Sequence, residues 1–193
     1  MIKIIPPNEF KQIPWKNGHG VTTELAINKG GSVQNFDWRL SIASVLENGV
    51  FSDFSGYMRQ LVLIKGNGIS LSHSNNKVDR LEKLLDVATF DGANTTIGSL
   101  HDGPIKDFNI MTKTSKFIST VETIVEKKSL VLKRSLLCFI YGLQNNTTIT
   151  SQEGMKKNLP QGSLMQINNN DRLRLTSEKA IIITIKERKN KEK

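Results

Sequence analysis

Cysteine is almost absent from this sequence of 193 residues, which has a single copy at position 138. One cysteine cannot form an intrachain disulfide, so the protein has to fold without one. Cys138 lies inside an apolar run, residues 136–141, where a thiol is typically buried and unreactive. We therefore expect a protein of a reducing compartment.

Long hydrophobic runs are also missing. Residues 136–141 form the longest one, whereas a helix that crosses a bilayer needs about 20 apolar residues. The apolar patch at the N-terminus is interrupted by Pro6 and Pro7, so it does not provide the apolar core of a signal peptide. We expect a soluble, cytoplasmic protein with no membrane partner.

Residues that usually cluster in catalytic sites are few and scattered. The three histidines, His19, His73 and His101, are far apart, and neither a His-x-His motif nor a His–Glu cluster occurs. Because three protein ligands must converge on a catalytic metal ion, we predict no metal site and no cofactor. Cys138 has no neighbouring base and there is no Gly-x-Ser-x-Gly elbow, which argues against acyl-enzyme chemistry.

Positive charge is in excess, with a formal net charge of +9. Lys and Arg neutralise phosphates, so this excess makes nucleic acid a partner to consider. However, part of it lies in a basic tail, residues 187–193, and the other lysines are not interleaved with the aromatic residues that stack on bases. We therefore predict that the protein does not bind nucleic acid.

The distribution of turn residues predicts a mainly β fold. Clusters of Pro, Gly, Asn and Asp recur about every ten residues, and the segments between them are short and often alternate polar with apolar residues. Residues 61–73 are typical of a hairpin around the turn 65–68. One helix is predicted at residues 79–85, where Asp79 and Glu82 resemble a capping box. Four further strands are predicted at residues 136–141, 163–167, 171–176 and 180–185.

Two predicted strands carry polar side chains on one face. Residues 36–43 alternate so that Arg39 and Ser41 lie opposite a row of apolar side chains. If Arg39 faces the protein interior, its guanidinium needs a partner, either Glu24 or the carboxylate of a ligand. The alternative is an ion pair of Arg39 with Glu24 or Asp37 on the outer surface.

Residues 107–111 alternate in the same way and place Asp107, Asn109 and Met111 on one face. A carboxylate and an amide on one wall can bind a polar ligand, but they can equally cap the backbone of a loop. Met111 fits a hydrophobic core as well as a pocket. Asp107, Glu24 and His101 could act as acid or base if the fold brings them into one pocket.

The segment 14–24 places a large aromatic residue, a cation and an amide just before two glycines. Glycine lets the backbone approach a ligand or another loop closely. The spacing matches neither of the common phosphate-binding loop motifs. We therefore include Trp15, Lys16 and Asn17 among the candidate ligand contacts, with packing in the core as the alternative for Trp15.

Five ordered motifs resemble the HutD/Ves family, and together they extend over about residues 6–185. They are Pro14-Trp15-Lys16-Asn17-Gly18 with Thr23-Glu24, Phe36-Asp37-Trp38-Arg39, residues 49–54 with Gly56 and Arg59, Phe90-Asp91-Gly92, and Leu100-His101-Asp102-Gly103-Pro104 with residues 107–111. The family usually has a third glycine at the position where this chain has His19.

The resemblance implies a cupin-like double-stranded β-helix with two fused barrels (a bicupin), at about residues 10–110 and 111–186 of a single unit 1–193. It also implies an association with histidine catabolism. The ligand class follows from that association, namely a small acidic metabolite such as urocanate or a formylated amino acid.

The predicted function is therefore that of a small-molecule binding protein that regulates histidine utilisation. One alternative is a metal-free cupin enzyme, an isomerase or hydrolase acting on a small polar acid, and another is a protein–protein interaction module. A homodimer is one possible assembly. The candidate ligand-binding residues are Trp15, Lys16, Asn17, Glu24, Arg39, Ser41, Arg59, Asp107, Asn109 and Met111, and the candidate catalytic residues are Glu24, His101 and Asp107.

Overall fold

The computed structural model describes residues 2–15, 20–132, 135–168 and 172–189. Within these ranges the chain forms nineteen β-strands and one short 3-10 helix, Pro7–Glu9. The prediction of a mainly β fold is therefore confirmed. None of the helices among the described residues is long and apolar enough to cross a membrane.

The strands are between two and nine residues long. They are β1 (Ile2–Ile5), β2 (Lys11–Pro14), β3 (Gly20–Ile27), β4 (Trp38–Val45), β5 (Gly49–Val50), β6 (Tyr57–Lys65), β7 (Ile69–His73), β8 (Val78–Leu81), β9 (Val87–Asp91), β10 (Thr96–Leu100), β11 (Ile105–Lys113), β12 (Phe117–Ile124), β13 (Lys128–Val131), β14 (Leu137–Gly142), β15 (Thr147–Thr150), β16 (Lys156–Leu159), β17 (Leu164–Asn168), β18 (Arg174–Ser177) and β19 (Ala180–Glu187).

The chain divides into two compact units. Unit 1 consists of Met1–Phe10 and Ile118–Lys193, and unit 2 of Lys11–Phe117. Unit 2 contains a six-stranded sheet in the order β2-β3-β4-β11-β6-β9 and a four-stranded sheet in the order β5-β10-β7-β8. Unit 1 contains a five-stranded sheet in the order β1-β17-β14-β19-β12 and a four-stranded sheet in the order β13-β18-β15-β16.

The core of unit 2 lies between its two sheets. Its members come from both sheets and include Leu61, Leu63, Ala88 and Phe90 of the six-stranded sheet and Ile69, Leu71 and Leu81 of the four-stranded sheet. We call the side of the six-stranded sheet that carries these four residues the inner face. The opposite face is also buried, because Leu40, Phe108 and Ile110, which alternate with inner-face residues, are fully inaccessible.

The core of unit 1 is apolar. Cys138 and Ile140 of β14 pack with Met165 and Ile167 of β17 and with aliphatic residues of the four-stranded sheet. Cys138 is free and buried, as predicted, and burial raises the pKa of its thiol to about 12. The thiol is therefore neutral at physiological pH and acts as a packing group.

The predicted strands of the second half are confirmed as β14, β17, β18 and β19, although residue 171 lies outside the described residues. The predicted hairpin at residues 61–73 is wrong in its pairing. β6 pairs with β11 and β9, whereas β7 pairs with β10 and β8. The connection therefore carries the chain from one sheet to the other, and Gly66 and Gly68 supply its positive φ angles of 98° and 123°.

The predicted helix at residues 79–85 is also wrong. Its first residues belong to β8, and the chain then turns around Asp86, whose carboxylate accepts hydrogen bonds from the backbone N–H groups of Glu82 and Lys83 at 2.9 and 2.8 Å. Leu85 is buried with a φ of 74°, a conformation that no helix contains. A side chain thus satisfies the backbone donors that a helical turn would have used.

Candidate functional site

The inner face of the six-stranded sheet carries charged and amide side chains beside its apolar core. Met111 of β11 pairs with Arg39 of β4 on one side and with Arg59 of β6 on the other. Asn109, which precedes Met111 by two residues on β11, pairs with Ser41 of β4. Residues two apart on a strand share a face, so the register collects these side chains in one area. We call the following residues the polar cluster: Glu24, Arg39, Ser41, Arg59, Asp107 and Asn109.

Alternation along β11 explains how the sequence places polar groups in the interior. Asp107, Asn109 and Met111 lie on the inner face, and Phe108 and Ile110 lie on the opposite face. Each of these five residues is at most 5% exposed. Asp107 and Asn109 are therefore buried in the middle of a central strand, and the alternative that they cap a loop is wrong.

Arg39 and Glu24 form an ion pair inside unit 2. Arg39 donates from Nε to Oε2 of Glu24 at 2.7 Å, and the two side chains are 5% and 14% exposed. The predicted interior partner of Arg39 is thus confirmed, and the alternative of a pair on the outer surface is wrong. Within the described ranges, no second hydrogen bond is made by this guanidinium. Its two Nη atoms therefore remain available to another acceptor.

Arg59, Asn109 and Asp107 form a chain of hydrogen bonds. Arg59 donates from Nη2 to Oδ1 of Asn109 at 2.9 Å and from Nη1 to the carbonyl oxygen of Ser52 at 3.3 Å. Asn109 in turn donates from Nδ2 to Oδ1 of Asp107. The amide of Asn109 therefore fixes the positions of a cation and a carboxyl group at the same time.

Aromatic rings surround the guanidinium of Arg59. Its Cζ lies 5.4, 5.3 and 5.1 Å from the ring centroids of Phe51, Phe54 and Phe90. These distances are within the range of cation–π attraction, which stabilises a cation that has lost its water shell. Arg59 is therefore held in place from several sides.

Two buried polar atoms of the cluster have no hydrogen-bond partner among the described residues, namely Nε of Arg59 and Oδ2 of Asp107. Burial raises the pKa of Asp107 to about 7, and the charge of Arg59 only partly offsets this effect. Burial also lowers the pKa of Arg59 to about 10, which leaves it charged at neutral pH. Such orphaned atoms are uncommon in folded proteins and indicate a place for a further hydrogen-bonding group.

When Asp107 is protonated, the polar cluster has an excess of positive charge and of hydrogen-bond donors. Oδ1 of Asp107 accepts the hydrogen bond from Asn109, so the proton of the neutral acid lies on Oδ2, the atom without a partner. Hydrogen-bond donors are then available on Arg39, Arg59 and Asp107 together. The cluster then carries two positive charges, on the guanidinium groups of Arg39 and Arg59, and one negative charge, on the carboxylate of Glu24.

The other predicted site residues lie in different surroundings. Trp15 donates from Nε1 to Oγ1 of Thr22 at 2.8 Å and packs on the core of unit 2, as the packing alternative proposed. Lys16, Asn17 and His19 lie outside the described residues. His101 is exposed and is bonded through Nε2 to Oγ of Ser70 at 2.8 Å, so it does not join the polar cluster.

The described residues contain no group of three or more His, Cys, Asp and Glu side chains that could hold a metal ion. The polar cluster itself offers two carboxyl groups, Glu24 and Asp107, and no histidine. One of these carboxyl groups pairs with Arg39, and the other is half protonated at neutral pH because burial raises its pKa. The donor set of the cluster therefore does not fit a catalytic metal.

The aromatic residues around Arg59 were not identified as site residues from the sequence. Phe51 and Phe54 follow β5, and Phe90 lies on β9 opposite Arg59. Their motifs carried the resemblance, but nothing in the spacing connects three distant rings with one arginine. One feature of the sequence pointed to them, namely that Arg59 lies within an otherwise apolar strand. A buried cation of this kind requires neighbours that stabilise its charge.

Comparison with known proteins shows to which family this sequence belongs. The sequence profile of the HutD family matches residues 7–185. The chain belongs to the HutD family. The resemblance found in the sequence is therefore confirmed over most of its length.

Curated relatives of the chain are known from Pseudomonas putida and Escherichia fergusonii. The chain is 34% identical over 110 residues to an uncharacterized 21.2 kDa protein in the hutC 3′ region of Pseudomonas putida, a match that covers 57% of each chain. It is 36% identical over 100 residues to protein Ves of Escherichia fergusonii, which covers 51% of each chain. The matched segments thus span about half the length of these curated relatives.

The fold of the HutD-family protein is shared with solved structures. HutD from Pseudomonas fluorescens SBW25 superposes with a TM-score of 0.84 at 24% identity, over 97% of this chain and 100% of that one. This likeness, together with those to further solved proteins, shows a cupin-like fold.

Proposed function

We propose that this HutD-family protein binds a small organic acid at the polar cluster of unit 2, and that this binding serves histidine utilisation. The proposal rests on two buried atoms that have no hydrogen-bond partner in the described part of the chain, Nε of Arg59 and Oδ2 of Asp107. Leaving such groups without partners costs about 1–3 kcal/mol each, so a guest that satisfies both is stabilised in that position.

The proposed ligand is a carboxylate. Among the described residues the Nη atoms of Arg39 have no partner beside its bond to Glu24, and a planar guanidinium binds a carboxylate through two parallel hydrogen bonds. The protonated Asp107 and Nε of Arg59 would donate to a second polar group of the same molecule. Urocanate and formylated amino acids carry a carboxylate and a second polar group, and they are the compounds to test first.

The link to histidine utilisation rests on the family. One relative is named for its position in the hutC 3′ region, and a solved structure of the same fold is named HutD. As part of the same proposal, we assign one barrel of a cytoplasmic bicupin to each unit. The separate sheet pairs of units 1 and 2 support this assignment.

A second candidate function is a metal-free enzyme, and one observation favours it. Burial gives Asp107 a pKa of about 7, which suits a general acid or base at physiological pH because both forms are present. The reaction would be an isomerisation or hydrolysis of the bound acid. Glu24 is a weaker candidate for this role, because its carboxylate is engaged by Arg39.

A thermal-shift screen separates these functions. The full chain is heated with urocanate and with formylated amino acids, and every compound that raises Tm is then incubated with the protein and analysed for product. A ligand at a hundredfold excess over its Kd adds about 2.7 kcal/mol to the free energy of unfolding. That is enough to raise Tm by a few degrees.

Arginine variants test the position of the site. In Arg39→Ala the shift of Tm by the ligand should disappear, whereas in Arg80→Ala, an exposed arginine of the same unit, it should remain. A bound ligand without turnover supports the binding protein, and consumption of the ligand supports the enzyme. An unchanged ligand response in a folded Arg39→Ala protein would contradict both.

A further inference from the structure

A cleft of about 370 Å³ lies at one end of the four-stranded sheet of unit 1 and shares no lining residue with the polar cluster. It is formed where β13 ends, where β15 ends and where the chain enters β18. Volumes of this size hold small molecules. None of the functions considered above uses this cleft.

Two arginines lie at the entrance of β18 and line the cleft. Arg172 and Arg174 are exposed, whereas Leu173 between them is buried. The backbone N–H of Leu132 donates to the carbonyl oxygen of Leu173 at 2.9 Å, which fixes this segment against the neighbouring strand. Residues two apart in the sequence are at most about 7 Å from each other, so both guanidinium groups can reach one anion.

The positive charge of this cleft has no counterpart in the part of the chain that the structure describes. None of the described residues that line it is acidic, and among them neither Arg172 nor Arg174 has a carboxylate within ion-pair distance. Unit 1 also carries most of the excess of Lys and Arg over Asp and Glu. An incoming anion would therefore meet cations that are not neutralised by the fold.

The remaining walls of the cleft are partly apolar and partly polar. Val131, which is 52% exposed, supplies aliphatic surface. Thr150 and Gln152 also line the cleft and carry side-chain donors, and Ser151 accepts a hydrogen bond from the backbone N–H of Met155 at 3.2 Å. An apolar area next to a few polar groups is typical of sites for small organic molecules.

We propose that this cleft binds a small organic phosphate, with the phosphate between Arg172 and Arg174 and the apolar body of the molecule on the exposed side chain of Val131. A phosphate monoester carries close to two negative charges and three terminal oxygens, which matches two guanidinium groups better than a single carboxylate does. The cleft is separate from the polar cluster, so this inference does not depend on the proposed function.

A titration followed by nuclear magnetic resonance tests the inference on the full chain. The backbone amide signals of residues 150–152 and 172–174 are monitored as phenyl phosphate is added, and separately as inorganic phosphate or sodium chloride is added at matched ionic strength. We expect shifts at these amides with both phosphates and tighter binding of phenyl phosphate, because its ring covers the aliphatic surface.

Charge-removing variants complete the test. Arg172→Gln and Arg174→Gln should each weaken phenyl phosphate binding about tenfold or more, as expected for the loss of a charge-assisted contact. Arg80→Gln, at an exposed site of unit 2, should change it less than about twofold. Wild-type affinity in both cleft variants, equal shifts with sodium chloride, or equal affinity for phenyl and inorganic phosphate would overturn the inference.

Discussion

Arg59 donates a hydrogen bond of 2.9 Å to Asn109 across the interior of unit 2, although the two residues are 50 positions apart in the sequence. Asn109 belongs to β11 and Arg59 to the neighbouring β6, so the bond runs diagonally between two central strands. Asn109 also donates to Asp107. One amide therefore connects a buried cation with a buried carboxyl group, and the stability of both depends on it.

Asn109→Ala is expected to destabilise unit 2 strongly. The substitution leaves Nη2 of Arg59 and Oδ1 of Asp107 without partners in the interior, and each unsatisfied buried group costs about 1–3 kcal/mol. We expect the free energy of unfolding, measured by urea denaturation, to fall by about 2–4 kcal/mol.

Asn158→Ala is the matched control, because Asn158 lies on β16, is exposed and contacts Thr148. Its effect should stay within about 0.5 kcal/mol. Equal effects of the two substitutions would mean that the hydrogen-bond chain through Asn109 contributes no more than a surface contact.

The sequence predicted the local part of this site well. The alternation of residues 36–43 and 107–111 correctly assigned Arg39, Ser41, Asp107 and Asn109 to the polar sides of two strands, because a strand has a period of two residues. It also suggested Glu24 as the interior partner of Arg39, which the structure confirms.

The pairing of distant strands could not be predicted in the same way. Residues 61–64 and 69–73 are strands, but no local pattern shows that each pairs with other strands instead of with its neighbour. For the same reason the contacts of Arg59 with Asn109, Phe51 and Phe90 were not foreseen. The helix predicted at residues 79–85 failed because Asp86, just beyond it, organises a turn.

Asp107→Asn should change the pH dependence of stability. Burial raises the pKa of Asp107 from 3.8 to about 7, so between these pH values the folded protein retains a proton that the unfolded chain has lost. The contribution of this group to stability is therefore complete below about pH 4 and is lost as the pH rises to about 7. The loss amounts to at most about 4 kcal/mol.

The variant isolates this effect because its amide does not titrate. Asn at position 107 can accept from Asn109 and donate at the position of Oδ2, as the protonated acid does. Urea denaturation of both proteins at pH 4.5, 6 and 8 should show that the wild type loses stability relative to Asp107→Asn as the pH rises. A difference that is the same at all three pH values would indicate that Asp107 does not titrate in this range.

Glu24→Gln should strengthen the binding of a carboxylate at the polar cluster. The amide oxygen can still accept the hydrogen bond from Nε of Arg39, but the negative charge that competes with the ligand is removed. We expect the Kd of any carboxylate found by thermal shift to fall by several-fold to about tenfold, as measured by calorimetry. The proposed role of Glu24 would be contradicted by weaker binding, because Glu24 would then contact the ligand itself.

Phe54→Leu should reveal how much the aromatic residues stabilise Arg59. The ring centroid of Phe54 lies 5.3 Å from Cζ of the guanidinium, and leucine fills most of the space without offering a π face. We therefore expect a loss of about 1 kcal/mol in the free energy of unfolding beyond that of the same substitution in an Arg59→Gln background.

The difference between the two backgrounds measures the cation–π contribution alone, because the lost hydrophobic volume is common to both. If the loss is the same in both backgrounds, Phe54 supports Arg59 by packing only, and the charge of the guanidinium must be stabilised by Asn109, the Ser52 carbonyl and the other two rings.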